Sequence, residues 1–317
     1  MPSLADERRH GSASLGLPMT PAKRAAKWAA VLLAVVALGR GALAFRHGAY
    51  GADAVMHPPR VAVERPRDGS EASRLTDVTF PSTLAPDVLL HGWYLPSANG
   101  AAVVLVHGYG GNRLAVWPEA RALAARGYGI LLFDLQAHGE SGGEESTLGD
   151  KERGNIAGAL DFLAQRPDPP KRLGVFAFSM GGWAAVAEAA KDTRVRALAL
   201  AGVTSSFEAQ ARGWNPFRLA YLAGQSWELE KRGVDLGQTH PVDFIFAFAP
   251  RPVIFILGTK DTAVPSAWSL ALYAAAGDPK EVMTVEGAEH GRYFETQGPR
   301  YTHKVVAFFD RTLAPSR

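Results

Sequence analysis

One serine of this chain lies in a local pattern that is typical of a nucleophile. Ser179 is the centre of Ala177-Phe-Ser-Met-Gly181, which matches the motif G-x-S-x-G with alanine in place of the first glycine. Small residues two positions before and after the serine let a strand and the next helix pass close together while the hydroxyl stays exposed. The alternative interpretation is a tight turn that happens to contain a serine. A nucleophile would also need a base, a carboxylate and an oxyanion site elsewhere in the chain.

Several loops that follow apolar runs carry residues of the types that such a serine would need. Residues 107–112 form a glycine-rich loop, which can bring a backbone N–H close to a ligand. This loop lacks the lysine and the glycine spacing of phosphate-binding motifs. Farther along, His138 lies in the loop 134–143, Asp261 in the loop 258–265 and His290 in the loop 287–291.

The elements around these loops predict an α/β fold. Residues 173–178 form a short run rich in apolar residues, which predicts a buried strand, and the alanine-rich residues 183–190 predict a helix. The same alternation recurs along the chain. Strands are predicted at 77–80, 89–95, 101–106, 129–134, 195–201, 251–257 and 281–285, and helices at 117–126, 155–165 and from 266. Alternating strands and helices indicate a mostly parallel sheet with sites at the carboxyl ends of its strands.

Taken together, these motifs resemble those of the α/β-hydrolase superfamily. The resemblance rests on His107-Gly-Tyr-Gly-Gly, on Asp134-x-x-x-His-Gly-x-Ser141, on the turn at Ser179 and on the two later loops, and it covers about residues 75–311. The chain is most similar to exported or membrane-tethered serine hydrolases related to esterases and prolyl-oligopeptidase-type peptidases. The resemblance implies a hydrolase domain over 75–317, with helices on both faces of the sheet and a short cap insertion at about 205–240.

The resemblance also implies a catalytic triad of Ser179, Asp261 and His290, in the chain order expected of this fold. His290 would remove the serine proton, and Asp261 would hold the imidazole in the useful tautomer. The backbone N–H groups of Tyr109 and Met180 would form the oxyanion hole. No cofactor and no metal ion are expected.

Other residues compete for two of these roles. Asp261 could instead cap the helix that starts at Ser266. Three further aspartates are candidates for the acid, although none directly follows an apolar strand, and His138 is the main rival for the base. The competing aspartates are Asp235, Asp243 and Asp278.

The composition limits the classes of function. The chain is 47% hydrophobic and 21% charged, which suits one α/β domain preceded by a non-globular N-terminus. Its formal net charge of +3 is spread along the chain, so no nucleic-acid partner is predicted. Without cysteine there is no thiolate nucleophile and no disulfide framework.

The N-terminus has the layout of a targeting segment. Residues 1–27 form a polar tail with basic residues, residues 28–45 form an apolar helix that includes Arg40, and residues 46–74 form a linker. An uncleaved signal anchor is favoured, which would leave the catalytic domain on the non-cytoplasmic side of a membrane. A signal peptide cleaved near Ala42-Leu-Ala44, giving a secreted protein, is the alternative. A helix buried on the domain is a third interpretation.

We therefore predict a serine hydrolase that cleaves carboxylic esters or related acyl bonds through an acyl-enzyme. A serine peptidase, a thioesterase and an acyltransferase share the same triad, and an inactive membrane-tethered binding protein is the alternative of another class. The expected substrate is a small-molecule or lipid-like acyl compound. Aromatic residues of the cap would suit an apolar pocket, although most are expected to pack the cap; these are Trp214, Phe217, Tyr221 and Trp227. No oligomeric state is indicated.

Overall fold

The computed structural model describes residues 20–206 and 216–314, and Trp214 lies outside them. Within these ranges eight strands form a single sheet: β1 Thr76–Pro81, β2 Leu89–Leu95, β3 Ala101–Val106, β4 Gly129–Phe133, β5 Arg172–Phe178, β6 Val195–Ala201, β7 Val253–Gly258 and β8 Lys280–Val285. The helices are α1 Pro21–Met56, α2 Trp117–Ala124, α3 Glu152–Ala164, α4 Met180–Lys191, α5 Pro216–Lys231, α6 Pro241–Phe244, α7 Ser266–Ala275, α8 Tyr293–Gln297 and α9 Pro299–Thr312.

The sheet has the order β1-β2-β4-β3-β5-β6-β7-β8. Strands β3 to β8 pair in parallel, whereas β1 pairs antiparallel with β2, and β2 antiparallel with β4. The mostly parallel sheet predicted from the sequence is thus confirmed. Strands β3, β4 and β7 are buried along their whole length, as expected for parallel strands that are covered on both faces.

Helices cover both faces of the sheet, as predicted. Along β3, Val104 and Val106 belong to one hydrophobic cluster, and Val103 and Leu105 belong to the other, because successive side chains of a strand point to opposite faces. Residues of α3 and α4 complete the first cluster, and residues of α2 and α9 complete the second. This packing presents the carboxyl ends of the parallel strands, and the loops that follow them, at one edge of the domain.

The N-terminal helix is longer than the predicted apolar segment 28–45. It begins at Pro21, after the N-cap Thr20, and ends at Met56, so the first part of the predicted linker is helical. The end of the helix has a local cause, because Pro58 and Pro59 follow at once and proline disfavours helical conformation in the residue before it. Helix α1 is long and apolar enough to cross a membrane, by length and composition.

The last part of α1 packs against α5, the helix of the predicted cap. Arg40 lies over the ring of Phe217 at 4.6 Å, whereas Asp53, farther along α1, accepts a hydrogen bond of 2.8 Å from Arg232, just beyond α5. The later residue of α1 thus contacts the later residue of the α5 segment, so the two helices run parallel. The aromatic residues of α5 that the structure describes contact α1: Phe217 through Arg40, Trp227 through Phe45, and Tyr221 through Gly48 and Gly51.

Glycines allow the close approach of these two helices. A Cβ atom at Gly48 would overlap the backbone carbonyl oxygen of Tyr221, and a Cβ atom at Gly224 would overlap that of Phe45. A flexible side chain can move aside, but a helical carbonyl cannot do so without a shift of the helix. The contact between α1 and α5 thus depends on these two glycines.

Replacing Gly48 with alanine should destabilise the folded chain by about 1–3 kcal/mol, the usual effect of overpacking. The matched control is Gly39→Ala in the same helix, because a Cβ atom there meets nothing within 4 Å. That control should be neutral or stabilising, since alanine favours a helix over glycine by about 1 kcal/mol. The measurement is thermal unfolding of the full chain in detergent, and equal midpoints for the two variants would contradict the close packing.

Candidate active site

Ser179 lies at a sharp turn between β5 and α4. Its backbone has φ +52° and ψ −124°, and residues other than glycine rarely adopt such a positive φ. Its N–H donates to the carbonyl oxygen of Ala201 at 2.9 Å, which ties the turn to the end of β6. A strained residue that is held by its surroundings is typical of a functional site. The strand–turn–helix context predicted from the motif is present.

Small residues around the turn have a steric reason. A Cβ atom at Gly181 would overlap the carbonyl oxygen of His107, and one at Gly108 would lie 2.9 Å from Cβ of Ser179. The turn is therefore packed directly on the loop that follows β3. Ala177, which replaces the first glycine of the motif, is fully buried within β5 without disturbing its pairing with β3 and β6.

The structure brings Ser179, His290 and Asp261 together from three separate loops. Nε2 of His290 lies 3.0 Å from Oγ of Ser179, and Nδ1 of the same ring lies 2.7 Å from Oδ2 of Asp261. The three residues follow β5, β8 and β7, which run parallel and end at the same edge of the sheet. His290 is 111 positions from Ser179 and 29 positions from Asp261 in the sequence. The three side chains nevertheless form one continuous series of hydrogen bonds.

The surroundings of Asp261 and His290 favour one arrangement of protons. The Asp261 side chain is 1% exposed, and its Oδ1 accepts a hydrogen bond of 2.7 Å from the N–H of Val264. Its other oxygen is left for the Nδ1–H of His290, which places the unprotonated Nε2 toward Ser179. The ring of His290 also packs on Phe178, with centroids 4.8 Å apart. Neither side chain has much freedom to leave this position.

The two residues predicted to supply the oxyanion donors line the same pocket as Ser179. Met180 is the first residue of α4, so its N–H has no acceptor within the helix. Tyr109 belongs to the loop after β3, and both residues line the same pocket as Ser179 and His290. Their role in stabilising an oxyanion stays a prediction.

The loop that carries Tyr109 is held by a buried histidine. Nε2 of His107 accepts a hydrogen bond of 3.0 Å from the N–H of Leu135, so its Nδ1 carries the proton and donates to the carbonyl oxygen of Gly108 at 2.7 Å. Burial lowers the pKa of His107 to about 3, and the nearby His138 acts in the same direction. His107 is thus a neutral residue that orients the loop.

This buried histidine predicts a stability that falls in acid. In the unfolded chain His107 would take up a proton near pH 6.5, whereas in the folded chain it does so only near pH 3. Between these values the unfolded state binds the extra proton, so the free energy of unfolding should fall by about 1.4 kcal/mol per pH unit for that proton. Denaturant unfolding of the full chain at pH 5, 6 and 7 measures this slope.

One variant assigns the slope to its source. In His107→Gln the dependence of the free energy of unfolding on pH should become shallower, by the amount that uptake of about one proton accounts for. A wild-type stability that is constant between pH 7 and 5 would contradict the prediction.

The rivals considered from the sequence lie elsewhere. His138 is buried against His107 and Tyr109, with ring centroids 5.2 and 5.9 Å away, and its Nδ1 bonds to the carbonyl oxygen of Gln136. Among the competing aspartates, Asp243 lies near His240 at 3.8 Å, and Asp235 contacts Asp150 through its backbone N–H. Of the four candidate aspartates, Asp261 is the one whose carboxylate lies within hydrogen-bond distance of the His290 ring, in the part of the chain that the structure describes.

A pocket of about 270 Å³ opens beside Ser179 and His290. Its walls are mostly apolar and include side chains for which no role was predicted from the sequence: Val55, Leu148, Trp183, Gln225 and Val264. Gln225 comes from α5, whereas the aromatic residues of that helix contact α1 instead. Val55 lies in the segment predicted as linker, and the absence of proline before Pro58 was the signal that the helix would reach it.

Tyr109 connects this pocket to the N-terminal helix. Its hydroxyl donates a hydrogen bond of 2.9 Å to the carbonyl oxygen of Ala54 in α1. The residue that would supply an oxyanion donor through its backbone is therefore held by α1 through its side chain.

Between residues 20 and 314, omitting 207–215, no group of three histidine, aspartate or glutamate side chains is placed to hold a metal ion.

Comparison with known proteins gives a consistent result. A family model described as alpha/beta hydrolase fold matches residues 101–231. The chain is 30% identical over 207 residues to the uncharacterized protein Rv2307c of Mycobacterium tuberculosis, which covers 63% of this chain and 68% of that protein. It is 29% identical over 272 residues to the uncharacterized protein YfhR of Salmonella typhi, with coverage of 78% and 85%. Among solved structures, the esterase Pf2001 of Pyrococcus furiosus superposes with a TM-score of 0.65 at 25% identity, covering 81% of this chain and all of that one.

Proposed function

The chain belongs to the α/β-hydrolase superfamily, and we propose that it is a serine hydrolase that cleaves carboxylic esters through an acyl-enzyme. The observation that carries this proposal is the hydrogen-bonded chain from Ser179 through His290 to Asp261, with distances of 3.0 and 2.7 Å. These distances lie within the range in which a base can take a proton from a nucleophile.

The geometry supports a two-step mechanism. Nε2 of His290 takes the proton of Ser179 as Oγ attacks the carbonyl carbon, and a tetrahedral intermediate forms. The backbone N–H groups of Met180 and Tyr109 stabilise its oxyanion. Collapse of the intermediate expels the alcohol, which takes the proton from His290, and leaves an acyl group on Ser179. Water then hydrolyses the acyl-enzyme, with His290 again acting as the base.

An ester is the proposed substrate class for two reasons. Pf2001, to which the chain is structurally similar, is an esterase. The pocket beside Ser179 is mostly apolar, which suits the acyl part of an ester. A thioester or an amide would react through the same kind of tetrahedral intermediate, and an alcohol could replace water as the acceptor of the acyl group. An experiment must therefore distinguish ester hydrolysis from these reactions.

The test combines active-site labelling with product analysis. The full chain should react with a fluorophosphonate at Ser179, as located by mass spectrometry of the labelled peptide, and should release p-nitrophenol from p-nitrophenyl butyrate. Parallel assays measure the hydrolysis of a butyryl thioester, the hydrolysis of a peptide p-nitroanilide and the transfer of the butyryl group to an added alcohol. Their rates relative to ester hydrolysis distinguish an esterase from a thioesterase, a peptidase and an acyltransferase. If no substrate turns over and no label is incorporated, the chain is an inactive binding protein and the proposal is wrong.

We also propose that α1 is an uncleaved membrane anchor, with the catalytic domain on the non-cytoplasmic side. The residues that resemble a cleavage site, Ala42-Leu-Ala44, lie inside continuous helix rather than in an extended segment. Arg40, before that site, already contacts Phe217 of α5. Immunoblotting of membrane and soluble fractions tests this, because a protein of full length in the membrane is expected and a shortened soluble protein would contradict it.

A further inference from the structure

Helix α1 has two parts with different surroundings. From Trp28 to Phe45 its large apolar side chains are exposed, and they point in all directions around the helix. From Gly48 onward every fourth residue is buried, namely Gly48, Ala52 and Met56. The exposed part is 18 residues long, which corresponds to about 27 Å of helix and is close to the thickness of a bilayer core. A bilayer is the environment that covers such a surface.

Helix α5 reaches the same level as the end of this exposed part. Phe217, in its first turn, contacts Arg40, and Trp227 contacts Phe45. Leu219 and Trp227 are about half exposed although they are large and apolar. Aromatic and arginine side chains at the end of an apolar helix are typical of a membrane interface. The start of the cap helix therefore lies at the bilayer surface beside α1.

Both helices also form walls of the pocket. Val55 of α1 and Gln225 of α5 line it together with Ser179. Val55 lies ten residues beyond Phe45, or about 15 Å along the helix. Gln225 lies eight residues beyond Phe217, or about 12 Å. The parallel pair α1–α5 thus extends without interruption from the bilayer surface to the candidate nucleophile.

The junction of α1 with the domain is rigid rather than a loose tether. Tyr109 donates to the carbonyl oxygen of Ala54, Ser146 N–H donates to that of Met56 at 2.7 Å, and Arg60 donates to three carbonyl oxygens of the loop 139–143. These bonds hold the pocket at a constant height above the exposed part of α1. An anchor that only retained the enzyme at a membrane would not need them.

From these observations we infer that the enzyme takes its substrate from the bilayer in which α1 is embedded, and that this substrate is a long-chain carboxylic ester. The inference rests on the proposed function and specifies its substrate class. A pocket of about 270 Å³ lies at the small end of ligand sites, so it holds only the reacting end of such a molecule. The rest of the acyl chain would lie along the apolar surface of α1 and α5.

The experiment compares substrate in the same bilayer with substrate in another one. The full chain is reconstituted into phosphatidylcholine vesicles, and 4-methylumbelliferyl oleate is placed either in those vesicles or in separate vesicles without protein. We expect initial hydrolysis at least tenfold faster when enzyme and ester share a bilayer. Equal rates in the two arrangements would overturn the inference.

A pair of variants tests the helix pair itself. Leu219→Glu places a charge at the bilayer end of α5, and it should lower the ratio of oleate to acetate ester hydrolysis at least fivefold. The control is Val282→Glu, which changes an exposed valine on the edge strand β8 and should leave that ratio unchanged. An unchanged ratio in Leu219→Glu would also overturn the inference.

The soluble ester separates the two proposals. If 4-methylumbelliferyl acetate is hydrolysed but oleate in the shared bilayer is not, the inference is wrong and the serine hydrolase stands. If the wild-type protein hydrolyses neither ester and takes up no fluorophosphonate, the proposed function itself is wrong, and the inference is lost with it.

Discussion

Replacing Ser179 with alanine should lower kcat/KM for p-nitrophenyl butyrate by about 10⁵- to 10⁶-fold, the size of effect that loss of the nucleophile has in serine hydrolases. The reason is geometric: in the described residues Oγ of Ser179 is the group that faces Nε2 of His290, at 3.0 Å. Without it no acyl-enzyme would form, and any remaining turnover would come from substrate binding and the proposed oxyanion donors. Fluorophosphonate labelling should disappear in the same variant.

The control for this result is Ser73→Ala. Ser73 is exposed and bonds only to the carbonyl oxygen of Ser70 within its own turn, among the described contacts. This variant should keep both turnover and labelling. Because Ser179 has a positive φ, its replacement also needs a check of folding, and an unchanged thermal midpoint would provide it. Turnover of Ser179→Ala within tenfold of wild type would show that another nucleophile acts.

The second large effect is expected for Asp261→Asn, which should lower kcat by about 10⁴-fold. Asparagine keeps the shape of the side chain, but its amide can donate to His290 and so favours the tautomer with the proton on Nε2. That proton would point at Ser179, and the ring could no longer act as a base. The measurement is kcat for the activated ester at a fixed pH, with folding checked by circular dichroism.

The competing aspartates supply the matched control. Asp243→Asn changes an exposed carboxylate near His240 and should keep kcat within a factor of two of wild type. A large loss in Asp243→Asn together with a small loss in Asp261→Asn would assign the acid to Asp243 and contradict the arrangement around His290.

Local patterns in the sequence were sufficient for the fold class. Each strand from β3 to β8 was predicted to within about two residues. For β3, β4 and β7 the reason is burial on both faces, because such strands are short continuous apolar runs bounded by glycine, proline or charge. The turn at Ser179 was also predictable, since its small neighbours are consecutive in the chain. The order of Ser179, Asp261 and His290 led to the same three residues that the structure brings together.

The sequence alone left other points open. It offered four aspartates and two histidines for two roles, and their separation in space was not readable from their positions along the chain. The structure distinguishes them because β5, β7 and β8 run parallel and end at one edge, which places only Asp261 and His290 of those candidates beside Ser179.

The relation of the N-terminal helix to the pocket is also a property of the tertiary structure. Composition indicated an apolar helix at 28–45, since the hydrophobic run is local. The extension of the helix to Met56 is also local, since no proline precedes Pro58 after Pro21. That the helix packs on α5 through Gly48 and Gly224, and lines the pocket with Val55, depends on contacts between distant parts of the chain. Short-range periodicity determines which segments become helices and strands, whereas the partners of each surface are decided only when the whole chain packs.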